Sequence, residues 1–238
     1  MEQQEFVGLN SIHNLKEILS SHSPKNIFLV TGKASYEKCG ARAIFDSILK
    51  NYSITRFYDF GANPKLNDIE KGIKMFKENN CGFVIAAGGG SVMDASKSIN
   101  ILSNNDNEPI EYIKNPKKIK NKGKTLIAIP TTSGSGSEAT HFAVVYIDKT
   151  KYSLVHEFML PDYSIVDYQF TLSLPKSVTA SSGMDALCQG IESYWCIYST
   201  DESKHYAKEA IKLARELGLA VTPGANGKMW FRLGDLVV

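Results

Sequence analysis

The sequence predicts an α/β fold: an N-terminal parallel sheet covered by helices, followed by the beginning of an all-helical domain. Two observations predict it. Up to about Ser177, short apolar runs typical of buried strands alternate with segments of helical spacing. This alternation is typical of βαβ units and a parallel sheet. After that point the strand-like runs stop and two long helical patterns follow.

Four apolar runs are the predicted strands. They lie at Asn26–Thr31, Ile54–Phe60, Gly82–Ala87 and Thr125–Ile129. Apolar residues at helical spacing predict five helices. These lie at Tyr36–Lys50, Leu66–Asn79, Val92–Leu102, Thr179–Tyr198 and Glu202–Leu217. Asn67 or Asp68 is the expected N-cap of the second helix, because both side chains can accept hydrogen bonds from free amides.

The change of pattern places a domain boundary near Ser177–Ser181. We therefore expect an α/β domain at residues 1–178 and the first helices of a helical domain at residues 179–217. Residues 218–238 form an atypical tail, because from Ala214 onward Ile and Ser disappear and Gly becomes frequent. We expect the helical domain to be incomplete, through truncation or a frameshift.

Composition excludes several classes of protein. A formal net charge of +2 gives no electrostatic reason to expect a nucleic-acid partner. The four cysteines form no C-x-x-C pair and are interpreted as reduced thiols. The sequence begins without a basic segment or a long apolar run, which predicts no signal peptide, no membrane span and a cytoplasmic protein.

A glycine-rich turn, Gly88–Ser91, follows the third predicted strand and precedes a helix. Glycines let the backbone approach a ligand closely, and a helix N-terminus favours a phosphate. Ser91 is expected to cap this helix, and Lys97 to reach a ribose or phosphate one turn after Asp94. The alternative is a plain tight turn, since neither G-x-G-x-x-G nor a P-loop motif is present.

A second polar loop, Pro130–Glu138 (PTTSGSGSE), follows the fourth predicted strand. Its hydroxyl groups can donate hydrogen bonds to phosphate and ribose oxygens. The alternative is a flexible Gly/Ser linker. Ligands of parallel α/β sheets bind at the carboxyl ends of the strands, so two such loops after two strands favour a nucleotide.

A third group of polar residues shares one face of the helix that follows. Asp185, Gln189 and Glu192 are spaced four and then three residues apart. A carboxylate there can bind a divalent metal. The alternative is that Asp185 stabilises the dipole of its own helix.

Together these segments resemble the iron-containing alcohol dehydrogenase family. The motifs are GGGSVMDASKS, IPTTSGSGSEAT and GMDALCQGIESYW, in that order. The resemblance implies an NAD(P)-binding α/β domain, a helical domain that holds Fe²⁺ or Zn²⁺, and a small alcohol or aldehyde substrate. It also implies a homo-oligomer for the full-length protein.

The resemblance assigns residues one at a time. Those implied to bind the cofactor are Gly32, Gly89, Gly90, Ser91, Asp94, Lys97, Thr131, Thr132 and Ser133, with Asp94 beside the nicotinamide and its ribose. Asp185 is the implied first metal ligand. Gln189 occupies the position of the family's usual second ligand, a histidine. The other two ligands of the family have no match in this sequence, and no side chain is an evident general base.

The sequence therefore predicts a metal-dependent, NAD(P)-linked alcohol dehydrogenase or aldehyde reductase. The segment LPDYSIVDYQFTLSLP is most similar to a phosphonoacetaldehyde-reductase-like branch. Gly32 and Lys33 stand where the family often has an aspartate, which predicts that NADPH is at least tolerated. The alternative is a truncated, catalytically inactive nucleotide-binding fragment of such an enzyme.

Overall fold

The computed structural model describes residues 3–216 in full and, beyond them, the backbone of three short strands. The chain divides into two compact units. The first comprises Met1–Thr131 and Ser137–Ser173, and the second comprises Thr132–Gly136 and Leu174–Val238. Among the helices of the described part, none has the length and apolar character needed to cross a membrane.

The first unit contains eight strands and six α-helices. In chain order they are β1 (Gln4–Val7), α1 (Asn14–His22), β2 (Asn26–Thr31), α2 (Ser35–Lys38), α3 (Ala41–Ile48), β3 (Ser53–Phe57), α4 (Leu66–Glu78), β4 (Phe83–Gly88), α5 (Gly90–Ser103), α6 (Pro109–Lys114), β5 (Thr125–Pro130), β6 (Phe142–Ile147), β7 (Thr150–Val155) and β8 (Tyr163–Val166). Six strands form one parallel sheet in the order β1-β8-β5-β4-β2-β3. The other two, β6 and β7, form an antiparallel hairpin.

The sheet is buried on both faces, which explains why its central strands are continuously apolar. Along β2, Phe28 and Val30 pack into one hydrophobic cluster, while Ile27 and Leu29 pack into the other. The first cluster also contains residues of α4, α5, α6 and the β6–β7 hairpin. The second contains residues of α1, α2 and α3.

The strand order reverses between β2 and β4. The chain passes from β2 to its neighbour β3 at the sheet edge, then crosses back to β4 on the other side of β2. As a result, the helices that follow β2 and β4 pack on opposite faces of the sheet. Such a reversal opens a crevice at the carboxyl ends of the two strands, where ligands of open α/β sheets bind.

The second unit contains α7 (Lys176–Trp195) and α8 (Asp201–Glu216), followed by strands β9 (Leu219–Pro223), β10 (Met229–Leu233) and β11 (Leu236–Val237). The strands form an antiparallel sheet in the order β11-β10-β9. The two helices approach closely at Gly190, where an added Cβ would lie 3.1 Å from the Ile211 side chain. Except for these strand backbones, the expected atypical tail at 218–238 lies outside the described residues.

The predicted α/β fold class is confirmed, and the predicted strands coincide with β2, β3, β4 and β5 to within a few residues. The single helix expected over Tyr36–Lys50 is wrong. It is two helices, because Gly40 adopts a left-handed conformation (φ 78°) between them. Four strands of the first unit, β1, β6, β7 and β8, were not predicted, and neither were β9, β10 and β11 of the second.

The expected N-cap of the Leu66–Glu78 helix is also wrong. Lys65 is the N-cap, and Asp68 lies in the first turn. The carboxylate of Asp68 accepts a hydrogen bond from the backbone N–H of Lys65 at 3.3 Å. Asp68 therefore supplies the hydrogen bond of a capping box in which the third helical residue reaches back to the N-cap backbone.

Candidate dinucleotide site

The glycine-rich turn lies where β4 passes directly into α5. Gly89 is the N-cap of this helix, which runs for 14 residues from Gly90. A Cβ at Gly88 would collide with the side chain of Val92, so Gly88 allows the helix to fold back against its strand. The N-terminus of α5, with its positive dipole end, therefore lies at the carboxyl end of β4, an arrangement that suits phosphate binding.

Ser91 does not cap α5 as expected. Its hydroxyl oxygen instead accepts a hydrogen bond from the backbone N–H of Asn63 at 3.1 Å. The helix starts two residues too early for Ser91 to act as a cap, because Gly90 is already its first residue and Gly89 its N-cap. Ser91 thus connects the turn to the loop between β3 and α4.

Thr131 lies beside the glycine turn. Its backbone N–H donates to the carbonyl oxygen of Gly88 at 3.0 Å, extending the pairing of β4 with β5. The next two candidates, Thr132 and Ser133, belong to the second unit. Within that unit Gly134 (φ 101°) lies so close to the backbone of Ser182 that a Cβ would collide with its carbonyl. The small residues of this loop are therefore required in part for packing against α7.

Lys97 is almost completely buried, at 1% exposure. Its ammonium donates to the backbone carbonyls of Ser137, Thr140 and Phe142, the latter two at 2.8 and 3.1 Å. Three carbonyl acceptors match the three protons of an ammonium group. Burial lowers the pKa of Lys97 to about 8, against the attraction of Asp94 and Glu138. Lys97 thus holds the segment between β5 and β6 against α5.

Asp94 lies one turn before Lys97 on α5. It accepts a hydrogen bond from the Ser137 hydroxyl at 3.5 Å and one from the backbone of Val144. Burial raises its pKa to about 6, although Lys97 and these hydrogen bonds favour the charged form. A carboxyl group that titrates near neutrality at the edge of a ligand crevice is typical of functional sites.

An arginine on β3, Arg56, contacts the carboxyl end of β2, and the sequence analysis did not select it. Nε of Arg56 donates to the Thr31 hydroxyl at 2.9 Å, and Nη2 donates to the Gly32 carbonyl at 3.3 Å. Its guanidinium lies between the rings of Tyr36 and Tyr58, 4.5 and 4.7 Å from their centroids. The sequence signal was an arginine inside the predicted strand Ile54–Phe60.

The predicted metal ligands lie on α7. The amide nitrogen of Gln189 donates to the Asp185 carboxylate at 2.8 Å. A catalytic metal generally has about three protein ligands. In residues 3–216 and the three strands beyond them, no three His, Cys, Asp or Glu side chains are placed to hold a metal ion. One carboxylate and one amide, Asp185 and Gln189, do not make a complete catalytic metal site.

Comparison with known proteins decides the family. The family model described as iron-containing alcohol dehydrogenase matches residues 3–168. The chain belongs to the iron-containing alcohol dehydrogenase family. The resemblance drawn from the three motifs is thereby confirmed.

Two relatives illustrate the similarity within this alcohol dehydrogenase family. The chain is 35% identical over 180 residues to long-chain-alcohol dehydrogenase 1 of Geobacillus thermodenitrificans, covering 74% of this chain and 46% of that protein. It is 31% identical over 218 residues to an NADPH-dependent butanol dehydrogenase of Clostridium saccharobutylicum, covering 89% and 55%. The chain thus spans about half the length of the curated relatives it matches.

A solved structure has the same fold. Sulfoacetaldehyde reductase from Bifidobacterium kashiwanohense in complex with NAD⁺ matches with a TM-score of 0.83 at 30% identity. The match covers 90% of this chain and 57% of that one.

Proposed function

We propose that the first unit binds NAD(P) in the crevice between the carboxyl ends of β2 and β4. The observation that carries the proposal is the coincidence of two features at this point. The strand order reverses there, and the glycine turn places the N-terminus of α5 at the same edge. Phosphate binds well to such an amide-rich helix end, and dinucleotides bind at such reversals.

The remaining assignments follow from this placement. Gly89, Gly90 and Ser91 border the diphosphate, and Thr131 extends that border along β5. Asp94 faces the nicotinamide and its ribose, on the side of the crevice that carries the β6–β7 hairpin. Thr132 and Ser133 are assigned to phosphate and ribose from their sequence motif. Lys97 acts through the carbonyls that it holds, and its direct contact with the cofactor remains a prediction.

For the whole protein we propose hydride transfer between NAD(P) and a small alcohol or aldehyde. The nicotinamide ring supplies the hydride chemistry when it is bound. The described residues bind and orient the cofactor, and Asp94 supplies a carboxyl group that changes charge near pH 6. We also propose a divalent metal for the whole protein, because the family is iron-containing.

A two-carbon aldehyde that carries an anionic group is the substrate we propose within that class. Two observations support it: the LPDYSIVDYQFTLSLP segment resembles a phosphonoacetaldehyde-reductase-like branch, and a sulfoacetaldehyde reductase shares the fold at 30% identity. Phosphonoacetaldehyde is therefore the first substrate to assay.

The second candidate function is nucleotide binding without turnover. It is favoured by the incomplete ligand set of Asp185 and Gln189 in the described part of the chain. Both candidates require the same crevice, so a binding measurement tests the assignment that they share.

The test is titration calorimetry of residues 1–238 with NADH and NADPH. Gly90→Leu should weaken binding at least about tenfold, because the leucine side chain occupies the space that the phosphate needs. Gly82→Ala is the matched control, since a Cβ there meets no atom within 4 Å. If Gly90→Leu binds as tightly as the parent, the crevice assignment is wrong. Oxidation of NADPH by added phosphonoacetaldehyde and Fe²⁺ then separates the two candidate functions.

A further inference from the structure

Arg56 lies beside the carboxyl end of β2, with two tyrosines, Tyr36 and Tyr58, in contact with its guanidinium. The proposed function places the nicotinamide end beside Asp94, which contacts the β6 side of the first unit. The adenosine end must then extend the other way from the α5 N-terminus, over the carboxyl ends of β2 and β3. Arg56 lies at that point, because its guanidinium donates to the Gly32 carbonyl directly after β2.

The guanidinium is held in a fixed plane. Tyr36 and Tyr58 both contact it, at distances within the range of cation–π interactions. Hydrogen bonds to the Thr31 hydroxyl and the Gly32 carbonyl occupy two of its five N–H donors. In the described part of the chain the other three donors have no protein acceptor. They lie at the edge of the group, where a phosphate is bound in a bidentate manner.

The surroundings favour an anion with more than one charge. Arg56 borders an open cleft of about 390 Å³ that Arg42 and Lys50 also border, with Asp46 as the only carboxylate among its lining residues. Arg42 is engaged by Glu37 at 2.6 Å and by Asp46 at 3.6 Å. Arg56 is therefore a cation of this cleft that is fixed against the end of β2 and keeps three N–H donors without an acceptor in the described part of the chain.

We infer that Arg56 determines cofactor specificity by binding the 2′-phosphate of NADP(H). This inference rests on the proposed function. A ribose that ends in a free 2′-hydroxyl is normally held by a carboxylate, whereas a 2′-phosphate is accommodated by a nearby arginine. Here Gly32 has no carboxylate. The guanidinium of Arg56 lies within hydrogen-bonding distance of the Gly32 carbonyl.

The probes are two half-cofactors, 2′,5′-ADP and 5′-AMP, titrated into residues 1–238. They differ only in the 2′-phosphate, so the ratio of their dissociation constants isolates its contribution. We expect the parent chain to bind 2′,5′-ADP at least about tenfold more tightly. Arg56→Met should reduce that preference to about twofold or less while the affinity for 5′-AMP changes less than about twofold. Arg42→Met, in the same cleft, should keep the preference.

The outcomes separate the two levels of the proposal. If neither half-cofactor binds, the crevice assignment itself fails. If both bind but the parent shows no preference, or Arg56→Met retains it, the role of Arg56 is overturned and nucleotide binding stands. Should Arg56→Met fail to fold, Arg56→Lys decides, because it keeps the charge and loses the planar fork. A preference reduced at least about threefold in Arg56→Lys supports the inference, and an unchanged preference contradicts it.

Discussion

The Nζ atom of Lys97 donates to the backbone carbonyl of Thr140 at 2.8 Å, joining α5 to a segment 43 residues later in the chain. This contact and the neighbouring ones to Ser137 and Phe142 place a charged group in the interior without an unpaired proton. The segment leading into the β6–β7 hairpin is therefore positioned by one side chain of the helix that borders the proposed cofactor crevice.

The first prediction concerns this contact. Lys97→Met should lower the free energy of unfolding by about 2–4 kcal/mol, because it leaves buried carbonyls without a donor. Urea unfolding followed by circular dichroism measures the loss. Lys74→Met is the matched control, since its side chain is 76% exposed and should change stability by less than about 0.5 kcal/mol. A loss below about 1 kcal/mol in Lys97→Met would contradict the anchoring role.

The second prediction concerns pH and Asp94. Its pKa is raised from the ordinary value of 3.8 to about 6 in the folded protein, mainly by burial. Because the folded state holds the proton more tightly, the stabilisation from Asp94 is full below about pH 4 and is lost as the pH rises through about 6. Burial thus makes the ionised carboxylate the costly form.

The measurement compares the parent with Asp94→Asn without nucleotide. Between about pH 4 and about pH 7, the parent should lose at most about 3 kcal/mol of unfolding free energy relative to the variant. The variant keeps the shape of the side chain and cannot titrate, so the difference between the two curves reports the ionisation of Asp94 together with its coupling to Lys97. Parallel curves across this interval would show that the pKa of Asp94 is ordinary.

The third prediction concerns Gly134 in the second unit. Gly134→Ala should destabilise that unit by about 1–3 kcal/mol, for two reasons. The backbone has a φ of 101°, and an added Cβ collides with the Ser182 carbonyl. Gly136→Ala is the closest control, because its φ is also positive, at 59°, while a Cβ there meets nothing within 4 Å. Thermal unfolding of the two variants separates steric collision from backbone strain. Equal melting temperatures would argue against the collision.

The fourth prediction concerns Asp167, which is 1% exposed. Its carboxylate accepts hydrogen bonds from the backbone N–H of Ile12 at 3.1 Å and from the backbone and side chain of Gln169 at 3.2 and 2.6 Å. Asp167→Ala should cost about 2–4 kcal/mol, because it leaves buried donors unpaired. Exposed Asp106→Ala is the control for loss of charge alone. Similar urea midpoints for the two variants would exclude this role for Asp167.

The central strands and the glycine turn could be predicted because their causes are local. β2 and β4 are covered on both faces, so the sequence of each is a nearly continuous apolar run. Such a run can be recognised without knowing which strands lie beside it. Gly88–Ser91 is recognisable for a similar reason: close packing of a helix against its preceding strand requires small residues at adjacent positions. The edge strand β1 was not predicted, because it has no buried residue and only one that is partly buried.

What the sequence by itself determined is the fold class, the family and the positions of the loops that border the crevice. The tertiary structure decided which polar side chains lie near those loops. Arg56 donates a hydrogen bond to the carbonyl of Gly32, and Lys97 donates one to the carbonyl of Thr140. The sequence separations are 24 and 43 residues. Such pairs leave no periodic trace in the sequence, because hydrogen bonds between distant segments depend on strand order and register. Only folding brings the donor and its acceptors to the same end of the sheet.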